Sequence, residues 1–419
     1  YDRETGKVVT SVSDDSTVLL GADGKGSSPR RLLVSTLGDE LKISGKGVKV
    51  IGISIKDRAA ILPSGHMADG AYWFDSKSGN FVSSTYYFGQ LPPWVQEFNQ
   101  SHVAAKYAGV EWKSTTAPAT LFRTISSTAG AKMYASLESS PFGNELIEQF
   151  AERAIAAEGL GKHAGTDLLT VSFSANDYVG HALGPDSPEV RDMSIRTDRL
   201  LGKLFAYLDA RLGPGNTLIA MTADHGVAPI PEVNEKRKMP GGRLSMTALV
   251  KAATDALEQK YGAGNWVLNG SEGGIYLNRD LIGQKHLDLA VVQQTAADAI
   301  LRQPHVFRVY TGVELYRGQA QPDIVGARVE RGYNVRRSGD IIVILDPYWL
   351  AAGGSGTSHS TPFDYDSHVP LLFYGPGVKP GRYDKTVAVN DAAPTLATML
   401  AVEIPSGSVG RVLTEMLAR

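Results

Sequence analysis

Four short apolar runs, VKVIGISI (48–55), DLLTVSFSA (167–175), NTLIAMTA (216–223) and HVPLLFYG (368–375), constrain the fold more than any other feature of the chain. Their apolarity is continuous rather than alternating, which fits strands covered on both faces, as in a parallel sheet between layers of helices. Helical patterns lie between the runs. SPEVRDMSIRTDRLLGKLFAYLDARLG places Ser187 at an N-cap and Pro188 at the first helical position. Val190, Met193, Leu200, Leu201, Leu204 and Leu208 follow near helical spacing, with Gly213 as the stop. NELIEQFAERAIAAEGLG ends the same way. Strand, long helix and strand, joined by right-handed crossovers, predict an α/β fold with a largely parallel central sheet flanked by helices.

Between residues 233 and 345 the texture changes: an entry loop (VNEKRKMPGGR), a helix (SMTALVKAATDALEQKYG), a strand (GGIYLN) and a second helix (LAVVQQTAADAILRQ). This predicts an α+β insertion, or cap, over 233–345, with a core made of 1–232 and 346–419. IIVILDPYW reads as the return to that core, and NDAAPTLATMLAV as its closing helix.

Composition narrows the function. Forty-two basic residues against forty-four acidic give a net charge of −2. There is no dense Lys/Arg run with interleaved aromatics, so a nucleic-acid scaffold is not an expected partner. No apolar run approaches the roughly 18 residues of a membrane span, so no transmembrane segment is expected. Cysteine is absent. Disulfides and thiolate zinc sites are excluded, and any metal must be held by Asp, Glu and His. The opening YDRETGK reads as mid-domain sequence, so the leader of an exported protein would lie outside this chain.

Ligands of open parallel sheets bind beyond the carboxyl ends of the strands. Asp177 and His181 follow VSFSA, Asp224 and His225 follow LIAMTA, and Lys56 and Arg58 follow VIGISI; GTSHSTPFDYDSH, with His359 and His368, precedes VPLLFYG. Alone, each has a plainer reading: Asp-x-x-x-His is more often a cap aspartate with a surface histidine, and Lys-x-Arg a solvated pair. Together they converge on one sheet edge. Imidazole and carboxylate are the ligands zinc takes without thiolates, at about 2.0–2.2 Å. Two aspartates and two or three histidines are too many for one tetrahedral zinc with an open position. Two ions about 4 Å apart, the arrangement suited to in-line phosphoryl displacement, accommodate them. Lys56 and Arg58, alternating on an extended segment, would offer ammonium and bidentate guanidinium donors to a dianionic phosphate.

The ordered set SIKDRAAILPSGHMADGAYWFD, NDYVGHALGP, TADHGVAPIPE, SHSTPFDYDSHVPLLFYGPG and NDAAPTLATMLAV resembles the alkaline phosphatase superfamily, and its Lys-x-Arg segment the PhoK/PafA-type single-subunit zinc alkaline phosphatases. The resemblance implies an alkaline-phosphatase-like core and hydrolysis of small-molecule phosphate monoesters by two zinc ions and a covalent phospho-threonine. It also implies a monomer in the periplasm or secreted. By motif, Asp177, His181 and His359 would hold the first zinc, with His359 preferred to His368. Asp224 and His225 would contribute to the second, and Lys56 and Arg58 would bind phosphate oxygens. Additional calcium is left open. The family's nucleophilic threonine, a further aspartate ligand and a phosphate-binding asparagine are expected upstream of Tyr1.

Two other readings compete. A phosphodiesterase or nucleotide pyrophosphatase would share the metal ligands but accept a second ester group; a catalytically silent zinc-binding protein would follow if the natural chain began at Tyr1. His66, Tyr72 and Trp73 could border a substrate, while His102, His163, His286 and His305 read as surface or core.

Overall fold

The computed structural model describes residues 1–116, 118–271, 274–351 and 353–418. Two compact units emerge: a larger one of Thr10–Gly180, Asp186–Asp224 and Pro370–Arg419, and a smaller one of Tyr1–Val9, His181–Pro185 and His225–Val369.

In the larger unit the sheet strands are β1 (Ser13–Leu20), β2 (Lys25–Ser27), β3 (Val50–Ser54), β4 (Gly70–Asp75), β5 (Asn80–Ser84) and β6 (Leu168–Ser172), in the order β2-β1-β5-β4-β3-β6. Strand β3, beside the edge strand β6, is buried along its whole length. It runs parallel to β4, with Ile51 opposite Gly70, and parallel to β6, with Val50 opposite Leu168. The remaining pairings are antiparallel, so the sheet is mixed. Connection length explains where the direction changes. Residues 76–79 turn β4 straight into β5, with Asp75 opposite Asn80, whereas parallel neighbours need a crossover of a dozen or more residues.

The runs NTLIAMTA and HVPLLFYG also form strands, Ile219–Thr222 and Leu371–Tyr374, which pair antiparallel with Leu371 opposite Thr222. Their residues alternate between half-buried and exposed, unlike β3. Two strands hydrogen-bonded to each other turn every second side chain outward, so apolarity alone overstated their coverage.

Four helices matter for the site: α1 (Asp57–Ser64), α2 (Pro141–Glu158), α3 (Ala175–Leu183) and α4 (Pro188–Leu212). The last starts and stops as its sequence predicts. Ser187 Oγ accepts from the Val190 amide at 3.2 Å, and Gly213 closes the helix at φ +89°. On α2, Leu146, Ile147, Phe150, Ala151, Ala154 and Ile155 recur at helical spacing and are buried together with Ile51 and Ile53 of β3. Phe150 stacks on Phe81 with ring centroids 3.7 Å apart.

The smaller unit contains all of 233–345. Its strands β7 (Val267–Ser271), β8 (Gly274–Leu277), β9 (Val306–Thr311) and β10 (Ile341–Leu345) form an antiparallel sheet in the order β7-β8-β10-β9. Helices α5 (Met246–Tyr261) and α6 (Leu289–Leu301) bury Leu249, Ala253, Leu257, Val292, Ala296 and Ile300 in one core with Ile275, Leu277 and Ile341. IIVILDPYW therefore does not return to the central sheet. It supplies β10, because the short apolar run fits any covered sheet and β8 and β9 flank it here. Asp340, fully buried, accepts hydrogen bonds from the Leu277 amide at 2.8 Å, Arg279 Nε at 2.8 Å, Gln293 Nε2 at 3.0 Å and Arg3 at 2.6 Å. The last of these fastens Tyr1–Val9 to this unit. Among the described residues, no helix is long and apolar enough to cross a membrane.

Candidate active site

Lys56 leaves β3 in an extended conformation and stands at the N-cap of α1. Arg58 lies in the first turn of that helix. The pair is thus not alternating along one extended segment as its spacing suggested, because the helix starts between them at Asp57. The Lys56 ammonium pairs with the Asp177 carboxylate and sits 4.7 Å from the centre of the Tyr178 ring. Burial, reinforced by Glu138, pushes the Tyr178 hydroxyl up to about 12, and the charge of Arg58 opposes the shift.

Asp177 and His181 share α3, four residues and about one turn apart, so the helix itself sets their spacing. His181 Nδ1 lies 2.8 Å from the Thr357 carbonyl oxygen. A carbonyl can only accept, so Nδ1 carries the proton and Nε2 the lone pair, as in metal-binding histidines oriented through the other ring nitrogen. The Thr357 amide donates back to the His181 carbonyl at 2.8 Å. This close approach requires the glycine before it: Gly356 has φ +83°, and a Cβ there would lie 2.4 Å from the His181 oxygen. Arg243 braces the same loop: one terminal guanidinium nitrogen donates to the Gly356 carbonyl at 2.6 Å and, together with Nε, holds the Glu232 carboxylate.

His359 completes the arrangement. Its ring centroid is 4.9 Å from that of His181, and it stacks on His225 at 3.4 Å with planes 16° apart. His225 Nδ1 donates to the Gly226 carbonyl at 2.8 Å. Asp224 stands just before His225, past the end of the Ile219–Thr222 strand. Of the five predicted metal ligands, Asp177, His181 and His359 each offer one ligand atom, all within 4.8 Å of one another. Ligands at about 2.0–2.2 Å from one ion can be no more than about 4.4 Å apart. Two imidazoles and one carboxylate are a donor set that suits a borderline ion. His368 is exposed at the end of a short helix, outside this group.

Sequence reasoning passed over Asp366. It is buried, takes the Thr361 amide and hydroxyl at 2.8 and 2.7 Å, and its carbonyl accepts from Gly226 at 2.6 Å. Burial raises its carboxyl above the usual range, against the Thr361 hydrogen bonds and the nearby His225. The only sequence signal was its place in the histidine-bearing loop.

The profile of the family described as type I phosphodiesterase / nucleotide pyrophosphatase matches residues 33–369. The chain belongs to this family. Within the alkaline phosphatase superfamily it is similar to alkaline phosphatase PhoV of Synechococcus elongatus, 38% identical over 444 residues covering 100% of this chain and 80% of PhoV. It is also 36% identical over 447 residues to alkaline phosphatase PafA of Elizabethkingia meningoseptica, covering 100% of this chain and 81% of PafA. A crystal structure of wild-type PafA superposes with a TM-score of 0.92 at 35% identity, covering 100% of this chain and 85% of that one. A second PafA structure, with a TM-score of 0.91, carries substitutions of a threonine, an asparagine and a Lys-x-Arg pair. The chain is accordingly an enzyme, a hydrolase of the alkaline phosphatase kind, and its relatives imply a metal cofactor.

Proposed function

We propose that this enzyme is a two-zinc phosphate-monoester hydrolase acting through a covalent phospho-threonine. Asp177, His181 and His359 hold the first zinc, Asp224 and His225 contribute to the second, and Lys56 and Arg58 bind the phosphate. The observation that carries the reading is the Asp177, His181 and His359 group, with Lys56 against Asp177. Bound zinc in such a site lowers the pKa of an oxygen nucleophile toward neutrality and stabilises a leaving oxygen. The protein's part is positioning and charge. An ammonium has three donors, so Lys56 can hold the Asp177 carboxylate and still donate to a phosphate oxygen. Arg58 supplies a planar fork matched to two phosphate oxygens. His181 is held in one tautomer by Thr357, and His225 by its neighbouring carbonyl. No residue of this chain is assigned as the threonine. The same reading makes 233–345 a cap on a core of 1–232 and 346–419, in a monomer that works in the periplasm or outside the cell.

The matching family profile gives one specific reason to weigh a diesterase instead. The Lys-x-Arg pair argues for monoesters, since two cationic donors match the extra negative charge a monoester carries. The test compares hydrolysis of p-nitrophenyl phosphate and bis-p-nitrophenyl phosphate by the enzyme and by its Lys56→Ala, Arg58→Ala double variant. The proposal expects the monoester rate to collapse far more than the diester rate. An unchanged monoester rate with dominant diester hydrolysis would sink it, and metal analysis finding no zinc would remove the site altogether.

A further inference from the structure

On α2, the buried positions Leu146, Ile147, Phe150, Ala151, Ala154 and Ile155 are apolar; two buried residues are not, Glu148, which pairs with Lys203, and Asn144, 2% exposed, near the helix start. An amide is costly to bury unless its donors and acceptor are used, and here they all converge on one place. Oδ1 accepts from the backbone amide of Ala175 at 3.3 Å. Nδ2 donates to Asn176 Oδ1 at 2.7 Å and to Thr197 Oγ1 at 3.2 Å. The Thr197 hydroxyl donates to the same Asn176 oxygen at 3.3 Å. Ala175 is the first residue of α3, so its amide is one of the donors that a helix start leaves without an intrahelical partner. Asn144 therefore acts as a cap supplied from another helix, and Thr197 of α4 locks the cap. Asp177 is the third residue of the helix so fixed.

We propose that Asn144 and Thr197 are positioning residues for the metal site. By anchoring the first turn of α3 they hold the Asp177 carboxylate where it can share a cation with His181 and His359. This rests on the proposed zinc site. A merely structural knot would cost stability when cut but leave the ligand geometry of the surviving fold unchanged, and this difference is what the experiment reads.

Zinc affinity is measured by competition with a chromophoric chelator, beside the melting temperature, for the enzyme, Asp177→Ala, Asn144→Ala, Thr197→Val and Phe150→Leu. Phe150→Leu loosens the same helix in the apolar core away from the knot. The proposal expects zinc binding to weaken about 10–100-fold in Asn144→Ala, as when the outer partners of metal ligands are removed. A smaller loss in the same direction is expected in Thr197→Val, and none in Phe150→Leu despite its lower melting temperature. If Asn144→Ala does not fold, Thr197→Val, which keeps shape and loses only the hydroxyl, carries the decision. Wild-type affinity in the folded Asn144 and Thr197 variants, or equal weakening in Phe150→Leu, overturns the inference and leaves the zinc site standing. An enzyme that takes up no zinc, or takes it up regardless of Asp177→Ala, overturns both.

Discussion

His181 and Thr357 are joined by two hydrogen bonds of 2.8 Å, imidazole Nδ1 to the Thr357 carbonyl and Thr357 amide to the His181 carbonyl. The Thr357 hydroxyl in turn donates to the Ala228 carbonyl at 2.8 Å, which pins the loop that presents the acceptor. Thr357→Val should keep the fold and weaken zinc binding about tenfold, at the lower end of outer-partner losses, while His181→Ala should exceed about 100-fold. Equilibrium competition with a chelator measures both.

Metal removal should lower thermal stability. A ligand present at about 100 times its dissociation constant stabilises the folded state by about 2.7 kcal/mol. Melting curves with a strong chelator should therefore show a fall of several degrees, abolished in Asp177→Ala. An identical melting temperature with and without chelator would count against a site formed by the fold.

Glu138 gives a pH signature. Burial, reinforced by Asp75 and opposed by Ser76 and Lys56, raises its carboxyl from 4.5 to about 7. The folded state then binds its proton more tightly than the unfolded chain, so the contribution to stability is complete below pH 4.5 and declines as pH rises to about 7. Glu138→Gln should match the wild type near pH 4 and be the more stable of the two above pH 7. Denaturant melts across that range will show whether the curves separate in that direction.

Asp340→Asn should be among the costliest single changes in the smaller unit. It removes the buried charge shared by Arg3 and Arg279, and breaking one partner of a buried pair costs about 3–5 kcal/mol. Asp340→Glu, which keeps the charge but shifts its oxygens, should recover only part of the loss in a chemical-denaturation assay.

The parts of this architecture that local chemistry dictates were legible in the sequence. Ser187, Pro188 and Gly213 bound their helix as the one-dimensional pattern says, since capping needs only neighbouring residues. All four apolar runs are strands, but their pairing depends on connection length and on partners far along the chain. For that reason the parallel arrangement within the larger sheet is limited to β4-β3-β6, and IIVILDPYW joins a different sheet from the one expected. At the site, Asp177, His181 and His359 each offer a ligand atom within 4.8 Å of the others. Asn144 and Asp366 were invisible because each is an ordinary polar residue until the fold buries it.

The fastening of Arg3 to Asp340 also bears on the order in which the protein can assemble. That contact closes a loop of 337 residues, whereas the Val50–Leu168 pairing of β3 with β6 needs residues separated by 118. Loop-closure entropy rises only about 0.6 kcal/mol per doubling of length, so the equilibrium penalty is small. On the ribosome the asymmetry is larger. The parallel strands β3 and β6 can pair soon after residue 172 emerges, while residues 1–9 must wait until β10 has been synthesised. Residues 1–9 are thus made long before the strand that fixes them and can dock only after it.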